Sequence, residues 1–187
     1  MMLEPVRQLL APRPGRVVLD TTVGLGGHAA RLLPELGPGG RLIGLDLDPS
    51  NIDAARRRLG PIATEADARL DLVHANFQDA GQVLDELGVE RVDGLLADLG
   101  FASVQVDDPA RGLTFSEPGP LDMRLNPEQT LTAAELVNTL SQAELADLIY
   151  RYGEERFSRR IAQKIVERRR QKPIEQTGEL AELIQRA

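Results

Sequence analysis

The stretch Val17-Val18-Leu19-Asp20-Thr21-Thr22-Val23-Gly24-Leu25-Gly26-Gly27-His28 decides the fold. A short β-branched run stops at an acid, a glycine-rich turn follows, and a helical pattern opens with Ala29, Ala30, Leu32, Leu33 and Leu36. A strand, a tight loop and a helix in that order open a nucleotide-type cofactor site. Glycine has no Cβ, so such a loop can take positive φ and let a ligand come close to the backbone. The helix start presents N–H groups that lack intrahelical partners to whatever lies in the loop.

Outward from this loop, strands and helices alternate. Residues 3–10 read as a leading helix, 16–20 as the first strand and 27–36 as the helix after it. Gly37-Pro38-Gly39-Gly40 is a turn, and 41–46 is the second strand. Asp48 caps a helix with Pro49 at its first position, running to about Leu59. Residues 71–75 form the third strand, Asp79 with Gln82 resembles a capping box for a helix ending near Gly88, and 92–98 form the fourth strand. Alternation of this kind implies parallel strands joined by right-handed crossovers. From Leu99 to Thr130 the rhythm breaks into a Pro-, Gly- and Asp-rich stretch of the kind that is often functional. Thr132 with Glu135 and Ser141 with Glu144 are capping boxes. A longer helix is expected over about 154–171, with Phe157, Ile161 and Ile165 stacked along it, stopped by Pro173. Thr177 is expected to cap a last helix through Ile184.

A chain of 187 residues can bury a real core, and 42% apolar with 27% charged residues is an ordinary globular mix. The absence of cysteine excludes disulfides, thiolate zinc sites and cysteine nucleophiles, and two histidines, His28 and His74, exclude a histidine-rich metal site. No apolar run approaches a membrane span, and Glu4 and Pro5 interrupt the place of a signal-peptide core. The expectation is a cytoplasmic protein with no membrane and no metal among its partners, an oligomer being left open. The net charge of −7 is unevenly spread. From Arg151 to Lys172 nine basic residues face three acidic ones, a net of +6 that leaves −13 elsewhere. A local basic patch on an acidic body can meet phosphate, or can be a solvated helix face.

The strand ends carry Asp20, Asp46, Asn76 with Phe77, and Asp98. In open parallel sheets ligands bind outside the carboxyl ends of the strands. Asp46 follows Gly24 by 22 residues, near the usual spacing of the acid that accepts ribose hydroxyls. Phe77 either covers an adenine face or packs at the edge of the core. His28 either donates to an anion or carboxylate or is a polar helix-terminal residue. The glycines lack the third spaced position of Gly-x-Gly-x-x-Gly, and Asp20 before the loop would repel a pyrophosphate while suiting an ammonium. That charge argument favours S-adenosylmethionine over NAD.

Six segments occur in order: the glycine loop with His28, Leu42-Ile43-Gly44-Leu45-Asp46-Leu47-Asp48-Pro49, Asp93-Gly94-Leu95-Leu96-Ala97-Asp98-Leu99-Gly100, Arg111-Gly112-Leu113-Thr114-Phe115, Gly119-Pro120-Leu121-Asp122-Met123-Arg124 and Tyr152-Gly153-Glu154-Glu155-Arg156-Phe157. Together they resemble the MraW family of ribosomal RNA small subunit methyltransferases, and the resemblance covers nearly the whole chain. It implies an α/β, Rossmann-like class I S-adenosylmethionine-dependent methyltransferase, with methyl transfer to the N4 amine of a cytidine in 16S ribosomal RNA. The cofactor contacts it implies are Gly26, Gly27, His28, Asp46, Phe77, Asp98 and Gln105. Asp98 is the expected catalytic acceptor beside the amine. Arg111, Arg124, Arg156, Arg159 and Arg160 are expected to steer RNA phosphate, with an internal salt bridge to Asp122 the alternative for Arg111 and Arg124. Phe101, three residues after Asp98, either stacks on the target base or packs against the sheet.

The chain departs from the family pattern in three places. It has Asp20-Thr21-Thr22 where Asp-Ala/Gly-Thr is usual, and Phe101-Ala102-Ser103-Val104 where Val-Ser-Ser-Pro is usual. It also stops at Ala187, within the helical insertion that the resemblance implies. The expectation is therefore a truncated member with an incomplete parallel sheet of order 3-2-1-4 and three regions. These are a Rossmann-like cofactor-binding domain over 1–105, an active-site loop over 106–131 and an incomplete helical insertion, for substrate recognition, over 132–187. The alternative function is a non-catalytic S-adenosylmethionine-binding fragment or ribosome-associated module.

Overall fold

Short runs of Val, Leu and Ile, broken by glycine turns, form β1 (Val17–Asp20), β2 (Arg41–Asp46), β3 (Arg69–His74) and β4 (Gly94–Leu96). The computed structural model describes residues 2–187, apart from the side chains of Ser103 and Val104. The four strands make one parallel sheet, as the alternation predicts, in the order β3-β2-β1-β4 that the resemblance implies. Val18 sits opposite Leu42 and Gly94, and Asp20 opposite Gly44 and Leu96, so the carboxyl ends of β1, β2 and β4 lie at one edge.

Helices α1 (Leu3–Leu10), α2 (Ala29–Leu36), α3 (Pro49–Ala66) and α4 (Ala80–Glu86) complete this unit. Successive strand residues point to opposite faces. Val18 and Leu42 pack with Leu32, Leu33 and Leu36 of α2 and Ala55 and Leu59 of α3, whereas Leu19, Ile43 and Leu45 pack with Val83 and Val89. Both faces are covered, which explains why β1 and β2 are apolar without alternation. Gly44 belongs to this packing too, because a Cβ there would lie 2.7 Å from a methyl of Leu72 and about 3 Å from Val23.

Within the first unit several boundaries differ from expectation, β3 among them, which runs over Arg69–His74 rather than 71–75. Helix α3 does not stop near Leu59 but continues through Pro61 to Ala66, where Asp67 takes φ 53° and closes it. Burial of Ala63 and partial burial of Ile62 against the core outweigh the hydrogen bond that proline cannot make. Asp79 makes no capping bond; Asn76 accepts from the Gln78 N–H at 3.1 Å and starts a 3₁₀ turn over Phe77–Asp79 instead. Strand β4 is three residues rather than seven, pairing along Val18–Asp20 of the four-residue β1.

The contacts divide the chain after Gly100. The second unit holds α5 (Ser103–Val106), α6 (Ala133–Thr139), α7 (Gln142–Gly153), α8 (Ser158–Arg169) and α9 (Thr177–Gln185). Both expected capping boxes form, Thr132 with Glu135 and Ser141 with Glu144. Leu121, Val137, Leu145, Ile161, Ala162, Ile165 and Ile174 are its core. The expected helix over 154–171 begins only at Ser158, because Glu154 adopts φ 51° and ends α7. Phe157 therefore flanks the helix start and is exposed, not stacked with the buried Ile161 and Ile165. Thr177 is the first residue of α9 rather than its cap, and its buried hydroxyl has no partner among the described residues.

The irregular stretch before α6 is pinned by backbone and side-chain bonds. Leu121 N–H donates to the Glu175 carbonyl and Ala134 N–H to the Leu121 carbonyl, each at 2.8 Å. Arg124 grips Asp122 through two 2.7 Å bonds and also donates to the carbonyls of Pro127 and Gln129. The guanidinium holds the Asp122 carboxyl below the usual carboxylate range. Arg124→Ala should therefore loosen residues 122–129, seen as faster hydrogen exchange at the Arg124 and Glu128 amides; unchanged protection there would show that the arginine is not the clasp.

Candidate cofactor site

The glycine loop leaves the end of β1 and turns into α2. Thr21 anchors its start: both its N–H and its hydroxyl donate to the Leu96 carbonyl at 2.9 Å. The hydroxyl that departs from the family pattern thus ties β1 to β4. Val23 N–H donates to the Leu45 carbonyl, joining the loop to β2. Gly24 and Gly26 take φ 52° and 78°, a region that glycine enters without steric cost.

Asp46 closes the loop from the other side. Its Oδ2 accepts from Gly24 N–H at 2.8 Å, and its Oδ1 accepts from Asp48 N–H at 2.9 Å and Asn51 Nδ2 at 3.2 Å. A carboxylate has about four lone-pair sites, so capacity for one further donor remains. Sequence reasoning singles out Asp46 by its spacing, whereas its hydrogen bonds from Gly24 and Asn51 are seen only in the structure. Asn51 sits in the first turn of the helix that Pro49 opens, five residues after Asp46, and that spacing was the available signal.

Asp98 lies two residues beyond β4. Its N–H donates to the Thr22 hydroxyl at 2.7 Å, and one carboxylate oxygen lies 3.4 Å from Nε2 of the buried His28. The loop, His28 and Asp98 are thus brought together. Phe77 follows β3 in the 3₁₀ turn and is 53% exposed, so its ring is not committed to the core. Gly27 is partly open and lies outside the positive-φ region.

Asp20 is the anomaly. It is 1% exposed, accepts from Thr22 N–H at 3.2 Å, and has no cation within ion-pair distance among the described residues. Burial, with the charges of Asp46 and Asp98 adding to it, pushes its pKa up to about 7. A sheet edge with three carboxylates suits a cationic ligand and disfavours a pyrophosphate. This donor set fits a sulfonium nucleoside with an ammonium end. A hollow of about 820 Å³ also exists at the amino ends of the strands, lined by Val17, Arg41 and Arg69, but it contains none of these acids.

The remaining expected residues belong to the second unit. Gln105 is buried and its Oε1 accepts from Ala102 N–H at 3.0 Å. Phe101 is exposed, Arg111 donates to the Leu125 carbonyl at 3.4 Å, and Arg124 makes the internal pair with Asp122. Arg156, Arg159 and Arg160 lie exposed or partly exposed at the start of α8.

A family model described as the MraW methylase family matches residues 1–187. The ribosomal RNA small subunit methyltransferase H of Thermobifida fusca (strain YX) is 49% identical over 190 residues, covering 100% of this chain and 56% of that protein. The proteins of the same name from Heliobacterium modesticaldum and Mycobacterium avium (strain 104) are each 46% identical, again over 100% of this chain, and over 59% and 50% of their own lengths. The chain thus spans about half the length of the curated relatives it matches.

Proposed function

The chain belongs to the MraW methylase family, and from that membership we propose that it binds S-adenosylmethionine at the carboxyl ends of β1, β2 and β4 and methylates the N4 amine of a cytidine in 16S ribosomal RNA, in the cytoplasm. The observation that supports this reading is the presence at one sheet edge of a hydrogen-bonded ribose-type acceptor, Asp46, and a buried carboxylate with no counter-charge among the described residues, Asp20. A Rossmann-like class I fold places both at the sheet edge where such ligands sit.

When bound, S-adenosylmethionine supplies an electrophilic methyl group on a sulfonium. The chain's own residues do the rest by position. Gly26, Gly27 and His28 form the loop wall, Asp46 accepts one ribose hydroxyl, Phe77 covers the adenine, and Asp20 meets the ammonium. Asp98, steadied by Thr22 and His28, accepts a hydrogen bond from the cytosine amine, localises its lone pair, and takes the proton released once the nitrogen–carbon bond has formed. Holding the amine in line with the methyl carbon is the main source of rate. Within the second unit, Phe101 offers a ring to the unstacked base, and Arg156, Arg159 and Arg160 hold RNA phosphate.

Calorimetry with S-adenosylmethionine and with NAD tests the cofactor; binding of NAD without S-adenosylmethionine overturns it. Transfer of tritiated methyl to undermethylated small subunits tests the activity. Cofactor binding without incorporation would favour the non-catalytic binding module. Asp46→Ala should weaken cofactor binding by about 1–3 kcal/mol through lost charge-assisted bonds, and an unchanged dissociation constant would remove the ribose role.

A further inference from the structure

The basic segment of the second unit is not uniformly engaged. Arg151 pairs with Asp147, Lys164 with Glu167 and Arg168 with Glu179, while Arg169 donates to the Val137 carbonyl. Among the described residues, Arg156, Arg159 and Arg160 have no carboxylate within ion-pair distance. These three cluster at the start of α8. Arg156 is braced rather than neutralised, its guanidinium carbon lying 4.9 Å from the centroid of the Phe157 ring.

Beside this cluster runs a groove of about 840 Å³, lined by Tyr150, Arg156, Arg159, Ala143, Ala146 and Asp147 among others. The turn at Glu154 brings the start of α8 back along the end of α7 and so creates it. Tyr150 is 61% exposed. Asp147, the acid among the lining residues, is already paired with Arg151. An open aromatic face flanked by two uncommitted guanidinium groups is the pattern that binds single-stranded nucleic acid: the ring takes a base and the cations take its phosphates. A duplex keeps its bases stacked inside and offers no face to the ring. An acidic peptide would use the arginines but not the tyrosine.

We propose that this groove seats one unpaired base of a single-stranded RNA segment, stacked on Tyr150, with the flanking phosphates on Arg156 and Arg159. The inference rests on the reading of the chain as an RNA-modifying protein and adds the strand state that its RNA must have at a second point of contact.

The chain has two tyrosines, Tyr150 and Tyr152, and no tryptophan, so in a Tyr152→Phe variant the intrinsic emission reports on Tyr150 alone. A pyrimidine hexaribonucleotide should quench that emission with the midpoint seen by anisotropy of the same oligomer carrying a dye. Tyr150→Ala should lower affinity roughly ten- to hundredfold, and Tyr150→Phe should restore it. A blunt duplex of equal length should bind at least about tenfold more weakly, and polyglutamate should leave the emission unchanged. With two or three phosphates contacted, log affinity should fall against log salt with a slope of about −2. RNA binding at full strength in Tyr150→Ala, or without quenching, overturns the groove while leaving the RNA reading intact. Absence of RNA binding by either readout overturns both, and equal quenching by polyglutamate assigns the groove to an acidic peptide instead.

Discussion

Asp20→Asn is expected to raise the stability of the first unit at pH 8 by up to about 4 kcal/mol, and by under about 1 kcal/mol at pH 4.5. The wild-type carboxyl titrates near pH 7 in the native state, because it is buried and because Asp46 and Asp98 oppose its charge. In the unfolded chain an aspartate titrates near 3.9. Between those values the native state holds a proton that the unfolded chain has released, so stability falls as pH rises from about 4 to about 7 and is level above. Asparagine cannot ionise, and its Oδ1 still accepts from the Thr22 N–H that Asp20 engages. The measurement is thermal unfolding of both proteins at the two pH values, where the gain at pH 8 should exceed about 10 °C for a unit of this size. A melting difference that does not change with pH would show that Asp20 carries no buried charge. The same substitution removes the counter-charge for an ammonium, so cofactor affinity at pH 8 should drop while stability climbs. A carboxylate kept at a cost to folding is the signature of a functional site.

Why some of this was legible in the sequence and some was not follows from the range of the forces involved. The β1–loop–α2 unit and both capping boxes depend on local periodicity and on side chains within three or four residues, and they can be read directly, whereas the strand order came with the family resemblance. Asp46 was found by its distance from the glycines. The bonds that aim it, from Gly24 and Asn51, depend on how the loop folds back over β2 and could not be read from spacing. Helix α3 crosses Pro61 because tertiary burial of Ala63 outweighs a local signal to stop. Strand β4 is short because its partner β1 offers it only Val18–Asp20, a property of the sheet and not of residues 92–98. The α8 start was misplaced for a subtler reason: Glu154 takes a left-handed conformation that its side chain does not advertise, and this one residue turns Phe157 outward. The distinction among cations was also hidden, since nine basic residues look alike until their acidic partners are placed.

Gly26→Ala should destabilise the first unit by about 2–5 kcal/mol, far more than Gly27→Ala. Two costs add at Gly26. Its φ of 78° puts an L residue in the left-handed region, at about 1–2 kcal/mol. A Cβ built there would lie 2.9–3.0 Å from three atoms of the Leu59 side chain, which is fully buried in the core beneath the loop and has little room to retreat. Overpacking of this kind costs about 1–3 kcal/mol. Gly27 is partly open and free of the left-handed constraint, so alanine there should cost under about 1 kcal/mol and act instead on ligand approach. Urea unfolding of the two variants separates these effects, and calorimetry with S-adenosylmethionine shows whether Gly27→Ala weakens binding in a protein of undiminished stability. The clash itself is testable by a cycle with Leu59→Ala. That substitution alone leaves a cavity and costs about 2–5 kcal/mol, but it also clears the space that the new methyl needs. The double variant should therefore be more stable than the sum of the single losses implies, by about 1 kcal/mol or more. Strict additivity would mean that Gly26 is required for its backbone angle alone and that the loop does not rest on the α3 core.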